Sequence, residues 1–360
     1  MVTELDQYLA VAGFSPRRAQ TDLYEHLITA DRRGVVAQAG TGTGKSAAIL
    51  AAAAHKARET GRQSLVVTPT LTLMNQYRDG DMPVAAKAFD DLMVSELRGR
   101  RHYHCDVARE SQVMLGLDYQ GGCEGGDGGC TAANWADMES NPDPGELFIP
   151  AYRCDYQQAK FAAREADIIV TNADMLIVND RILADLDANI FDLEGSLFVD
   201  EAHTLEQKLR DWASRSLWWK SIERFNFAGT HAPQLATWLK ERAPEGQTLT
   251  EIPREQKDHI AAIARAVIPD PRPKDGLAKQ RETRDACERI LGYLADPHDS
   301  AVLHVYDGSL KWDWINVSQS AGELLSARDF GLVSATIPKT MAATLGVTSA
   351  PFIDVGHPFD

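Results

Sequence analysis

The sequence predicts an α/β protein built on a doubly wound parallel sheet, and three observations predict it. Buried-type apolar runs at Val35–Gln38, Ser64–Thr70, Ala166–Asn172, Ser196–Val199 and Phe330–Thr336 alternate with helix-forming stretches. The first run empties into the glycine-rich turn Ala39-Gly40-Thr41-Gly42-Thr43-Gly44-Lys45-Ser46, and a helix-forming run, Ala47–Ala54, follows it. The fourth ends in adjacent acids, Asp200-Glu201. In such a sheet the chemistry gathers at the carboxyl ends of the strands, which is where the turn and the acids fall.

The turn is a phosphate loop. Strand before and helix after aim its backbone N–H groups at one point, a helix N-terminus, which favours an anion. Gly40, Thr41, Gly42, Thr43 and Gly44 let the backbone wrap the β- and γ-phosphates, Lys45 adds a compact positive charge, and the Ser46 hydroxyl can join the shell of Mg2+. The strict pattern has glycine where this chain has Ala39. The acidic turn Asp200-Glu201-Ala202-His203 completes the set. Asp200 is expected to hold Mg2+ through water, Glu201 to orient and deprotonate the attacking water, and His203 to relay the state of the γ-phosphate.

The first 33 residues read as helical and place Gln20 just upstream of the loop, where a side-chain amide can read an adenine edge by donating and accepting. Thr68-Pro69-Thr70 closes the second strand. Hydroxyls and N–H groups there suit a phosphodiester backbone. From Leu97 the composition changes: Arg98, Arg100, Arg101, His102, Tyr103 and His104 precede Cys105, and Cys123, Cys130 and Cys154 follow among glycines. Loops so rich in glycine need a metal centre to hold them. Zinc usually uses a tight C-x2-C pair, which is missing; four irregularly spaced thiolates fit an iron–sulfur cluster at least as well, with His102 and His104 as possible substitutes. The arginines and rings beside Cys105 suit a single strand, or offset the charge of a thiolate cluster.

Beyond His203 the pattern turns helical for about a hundred residues, broken by Pro269, Pro271 and Pro273, so an inserted helical subdomain is expected with its aromatics mostly in its core. Cys287 reads as a buried small residue. Trp312-Asp313-Trp314-Ile315 returns to strand character, Ser334 and Thr336 are placed to bond the acidic turn, and the prolines from 351 to 358 read as an exit linker.

Composition bounds the rest. The 360 residues exceed one typical domain, and 44% apolar with 25% charged residues is ordinary for a globular protein. A formal charge of −15 argues against nonspecific coating of nucleic acid but leaves room for a local basic track. Glu4 and Asp6 spoil a signal pattern, and no apolar run approaches the ~20 residues of a membrane span, so a cytoplasmic address without membrane contact is expected.

In this order the motifs make the chain resemble the iron–sulfur superfamily 2 DNA helicases of the XPD and DinG type. The resemblance rests on Ala39–Ser46, Thr68–Thr70, Arg98-Gly99-Arg100 with Tyr103 and Cys105, the later cysteines, Ala166–Asn172, Asp200–His203 and Ser334–Thr336. It implies a RecA-like phosphate-loop domain over 1–94, 161–205 and 301–360, a cysteine-rich 4Fe-4S domain at 95–160 and a helical arch at 206–300. It also implies ATP-driven 5′ to 3′ movement on single-stranded DNA, with Thr68, Thr70, Arg98, Arg100, Arg101 and Tyr103 as strand contacts. A second RecA-like domain, in cis or in trans, is expected to bring arginines to the γ-phosphate. Without it the chain is expected to bind nucleotide weakly and not to translocate. Two other readings remain: a non-catalytic metal-cluster module gripping DNA or a partner, and a DNA-stimulated ATPase remodelling nucleoprotein complexes.

Overall fold

The structure is a computed structural model that describes residues 2–104, 155–180, 189–223, 231–241, 247–248, 252–266 and 275–356. Its strands in chain order are β1 (Val35–Gln38), β2 (Ser64–Thr68), β3 (Val94–Leu97), β4 (Ile168–Asn172), β5 (Ser196–Val199), β6 (Arg215–Trp218), β7 (Gln247–Thr248), β8 (Ala301–Tyr306), β9 (Ser309–Trp314), β10 (Phe330–Ser334) and β11 (Phe352–Asp354). The described residues fall into two compact units, one running to Lys208 and resuming at Ser318, the other spanning Leu209–Val317.

The first unit is the predicted parallel sheet. Its order is β11-β1-β10-β5-β2-β4-β3, and every pairing is parallel. Strands β2, β4, β5 and β10 are buried along their whole length, which is why their sequences are apolar runs and not alternations. The helix Lys45–Thr60 packs against the sheet and against the helices Glu4–Ala12 and Arg18–Ile28. Enclosed on all sides, it is buried from Ala47 to Ala54, and the alanines let its neighbours approach closely. Fully buried Arg328 is held by Asp180 through two hydrogen bonds, 2.5 and 3.0 Å.

The second unit carries an antiparallel sheet, β6-β9-β8-β7, packed on helices that include Ala232–Glu241, Arg254–Ala266 and Asp275–Ala295. Its core contains Leu217, Leu235, Ile260, Cys287, Ile290, Val305 and Trp312. The structure therefore differs from the expected all-helical insertion ending at 300. The run 301–314 forms a hairpin in this unit, because Leu303, Val305, Leu310 and Trp312 alternate inward while His304, Lys311 and Asp313 stay partly exposed. Burial pushes the Cys287 thiol up to about 12, as befits an inert core residue. The tail also differs: Phe352–Asp354 pairs with β1 as an edge strand, not a linker. Among the described residues no helix is long and apolar enough to cross a membrane.

Gly34 fixes how β1 begins. It sits at φ +75°, and an added Cβ would lie 2.0 Å from the ring of fully buried Phe330. Gly34→Ala is expected to destabilise the fold by about 1–3 kcal/mol through overpacking and a left-handed backbone, measured as a lower urea midpoint with an unchanged m-value.

Candidate nucleotide and magnesium site

The carboxyl edge of the sheet gathers the predicted motifs because each follows a different strand: the phosphate loop β1, Thr68–Thr70 β2, Asp200-Glu201 β5, and Ser334 closes β10. The loop turns at Gly42 and Gly44, with φ +80° and +82°, which only glycine adopts at little cost. Arg17 Nη1 donates to Gly42 O at 2.7 Å, and Thr43 Oγ1 donates to Gly40 O at 2.8 Å. Gln20 is 4% exposed and donates from Nε2 to Gly44 O at 3.1 Å. Its amide thus braces the loop itself, and a side chain on Gly44 would collide with it. Ala39 is tolerated in place of glycine because it is fully buried in the core, with its N–H donated to Ser334 O.

Lys45 Nζ lies 3.6 Å from Glu201 Oε1 and 3.4 Å from Ala39 O. Glu201 stands at φ +48°, a left-handed position that costs a non-glycine residue about 1 kcal/mol. The turn is held there by its own bonds. Asp200 Oδ1 accepts from Glu201 N–H at 2.9 Å, and Thr204 N–H and Oγ1 donate to Glu201 O. Ser334 Oγ donates to Glu201 Oε2 at 3.1 Å and sits 2.8 Å from His203 Nδ1. A serine has one proton, so the His203 nitrogen facing it carries its own hydrogen and donates. Of the two hydroxyls expected to link this strand end to the acidic turn, Ser334 makes the link, while Thr336 is exposed.

Two residues that sequence reasoning left out of the site belong to it. Tyr77, completely buried, donates its hydroxyl to Asp200 Oδ2 at 3.1 Å, and Asp81 Oδ1 accepts from Ser46 Oγ at 3.3 Å. Their spacing of four, just after the Thr68–Thr70 strand end, was the only signal. Burial and the adjacent charge of Glu201 push the Asp200 carboxyl above its usual range, and burial does the same to Asp81. The Ser46 hydroxyl and the Asp200 carboxylate form an all-oxygen set with more buried negative charge nearby than Lys45 balances. That donor chemistry fits Mg2+.

The residues expected on a nucleic-acid strand are divided. Thr70 is exposed and caps the helix Leu71–Gln76 by accepting from Leu73 N–H, and Arg100 and Arg101 are exposed. Thr68 is fully buried, with its hydroxyl on Thr70 O, and Arg98 is turned inward to Glu96. Tyr103 accepts from Arg98 N–H, and its ring lies 5.6 Å from that of Tyr156. Burial pushes its hydroxyl up to about 12. Cys105, Cys123, Cys130 and Cys154 lie outside the described residues, and among the described residues no cluster of His, Cys, Asp and Glu could hold a metal by itself.

A raised carboxyl pKa means that the fold prefers the protonated acid, so its charge costs stability above that pKa and the cost disappears as pH falls through it. Asp200→Asn keeps the bond from Glu201 N–H to the side-chain oxygen and reverses the other, so that the amide nitrogen donates to the Tyr77 hydroxyl. It is expected to raise stability at pH 7 by about 1 kcal/mol in urea unfolding without nucleotide or magnesium, with the gain shrinking toward pH 4.

Comparison with known proteins agrees with this geometry. Residues 17–80 match the family model of the DEAD/DEAH box helicases. Over 112 residues the chain is 33% identical to the ATP-dependent DNA helicase YoaA of Escherichia coli (strain K12), a match covering 30% of this chain and 17% of that protein. Among solved structures, an XPD helicase is similar over 95% of this chain with a TM-score of 0.57 at 16% identity, and Xpd4 of S. tokodaii over 94% with 0.53 at 15%. The matches span 62% and 60% of those two chains. A truncated XPD matches over 93% of this chain and 98% of its own, with a TM-score of 0.53 at 16% identity. Residues 17–80 thus match a DEAD/DEAH box helicase domain, and over most of its length the chain shares the fold of the XPD helicases.

Proposed function

We propose that the chain is the nucleotide-binding motor half of an ATP-dependent superfamily 2 DNA helicase. The observation that carries this is the ion pair between Lys45 and Glu201, 3.6 Å apart across the mouth of the phosphate loop. A cation and a carboxylate this close suit one ligand, the cation for its phosphates and the carboxylate for the attacking water. The loop N–H groups and Lys45 hold the β- and γ-phosphates of ATP, while Ser46 and Asp200 hold the magnesium that accompanies them. When bound, that ion would offset the negative charge of the phosphates. Glu201 accepts the proton of the attacking water. The released γ-phosphate is sensed through Ser334 and His203, which share hydrogen bonds with Glu201.

The DNA reading follows from the similarity to the DNA helicase YoaA. A single strand is proposed to cross Thr70, Arg100 and Arg101, with Tyr103 and Tyr156 beside them as ring surfaces. Thr68 and Arg98 then support that path from below, consistent with their burial. Cys105, Cys123, Cys130 and Cys154 are proposed to hold a 4Fe-4S cluster, and a second RecA-like domain, in cis or in trans, to supply arginines to the γ-phosphate. Movement 5′ to 3′ and a cytoplasmic address belong to the same proposal.

The test is nucleotide binding and turnover on paired variants. Lys45→Ala is expected to lose binding of labelled ADP. Glu201→Gln is expected to keep binding within a few-fold while ATP hydrolysis, measured with the second motor domain and single-stranded DNA present, falls by about 10²–10⁴. Equal ADP binding by the wild type and Lys45→Ala, or full turnover by Glu201→Gln, contradicts the assignment.

A further inference from the structure

Between the helices Leu71–Gln76 and Met82–Ala88 the backbone widens into a single π turn, Tyr77–Asp81. Such turns are rare, and they often mark functional sites. Pro83 supplies a local cause: it has no N–H to give back to the preceding turn, so the intervening carbonyls are free to take the wider pattern. The result is a rigid element whose two inward side chains both end on the nucleotide edge. Tyr77 reaches Asp200 and Asp81 reaches Ser46.

Each contact constrains a proton. A serine hydroxyl has one hydrogen and two lone pairs; with the hydrogen given to Asp81, lone-pair density is left for a cation, and the hydrogen cannot point at it. Asp200 is fixed at both oxygens, by Glu201 N–H on Oδ1 and by Tyr77 on Oδ2. Asp81 is held in turn by the Tyr8 hydroxyl at 2.7 Å, which keeps the carboxylate from swinging away. Among the described residues it forms no ion pair with a lysine or arginine, so its charge falls on the pocket. The turn is also continuous with the helix that Thr70 caps, so one element joins the proposed strand contact to the proposed metal.

We infer that Asp81 and Tyr77 are positioning residues for the magnesium of the nucleotide: through Ser46 and Asp200 they set the orientation of its ligands, while neither touches the nucleotide. This rests on the nucleotide reading above, which assigns Ser46 and Asp200 to the metal. It adds two residues and a structural element that the phosphate-loop and acidic motifs do not contain.

The test uses the full chain, fluorescently labelled ADP and magnesium chloride. The dissociation constant is measured in EDTA, and the magnesium midpoint is measured at fixed ADP, for the wild type, Asp81→Asn, Tyr77→Phe and Lys45→Ala. The magnesium midpoint is expected to rise about tenfold in Asp81→Asn and in Tyr77→Phe, while the EDTA constant stays within about twofold. A role confined to folding would lower the thermal midpoint without splitting the two affinities, and that result overturns the inference. So does an unchanged magnesium midpoint in both variants. If Asp81→Asn and Tyr77→Phe are silent while Lys45→Ala loses ADP, only this inference fails. If Lys45→Ala also binds like the wild type, the nucleotide reading falls with it.

Discussion

The balance of charge at the carboxyl edge of the sheet is the constraint on which the site depends. Asp200, Glu201 and Asp81 come together around the phosphate loop, and among the described residues Lys45 is the one lysine or arginine paired with any of them. Buried carboxylates left short of cations are costly, and burial accordingly pushes Asp200 and Asp81 toward their protonated forms. A fold selected for stability alone would not keep this arrangement. On the proposed reading, a divalent cation brought in with a triphosphate would offset this charge, so ligand binding would remove a cost that the free protein carries.

The sheet makes that arrangement possible by bringing together residues far apart in the chain. β1 lies between β11 and β10, and β5 joins β10 to β2, so the loop after β1, the turn after β5 and the hydroxyl ending β10 meet along a short stretch of one edge. Hydrogen bonds within the turn hold Glu201 in its left-handed conformation, and Ser334 ties that residue to His203. Two hydrogen bonds join the acidic turn to β10, and the π turn joins Asp200 to the helix capped by Thr70, the routes by which a change at the γ-phosphate would travel on the proposed reading.

Much of this was legible in the residues. Strands buried on both faces write themselves as apolar runs, so the parallel sheet was legible, and Gly-x-Gly-Lys-Ser before a helix and an acid pair after a strand marked where Lys45, Ser46 and the acidic turn lie along its carboxyl edge. The π turn was not legible, because Arg78-Asp79-Gly80-Asp81 reads as an ordinary polar turn and Tyr77 as one more helical apolar residue. The second unit's hairpin was legible only in part: Trp312-Asp313-Trp314 reads as strand, but its alternating pattern is short and follows a long helical stretch, so its partner strand and its place in the second unit were not. Thr68 and Arg98 show the limit of motif reading. A residue can lie at a strand end and still turn its polar atoms inward, which depends on neighbours such as Glu96 and not on its own position.

On the proposed reading, nucleotide and magnesium together complete an edge that neither completes alone. The decisive experiment is thermal unfolding of the chain with ADP, with magnesium and with both. The midpoint is expected to rise for the pair by more than the sum of the separate rises, since each ligand strengthens binding of the other. A midpoint that does not move with both present, or rises no more than the two separate effects added, contradicts it.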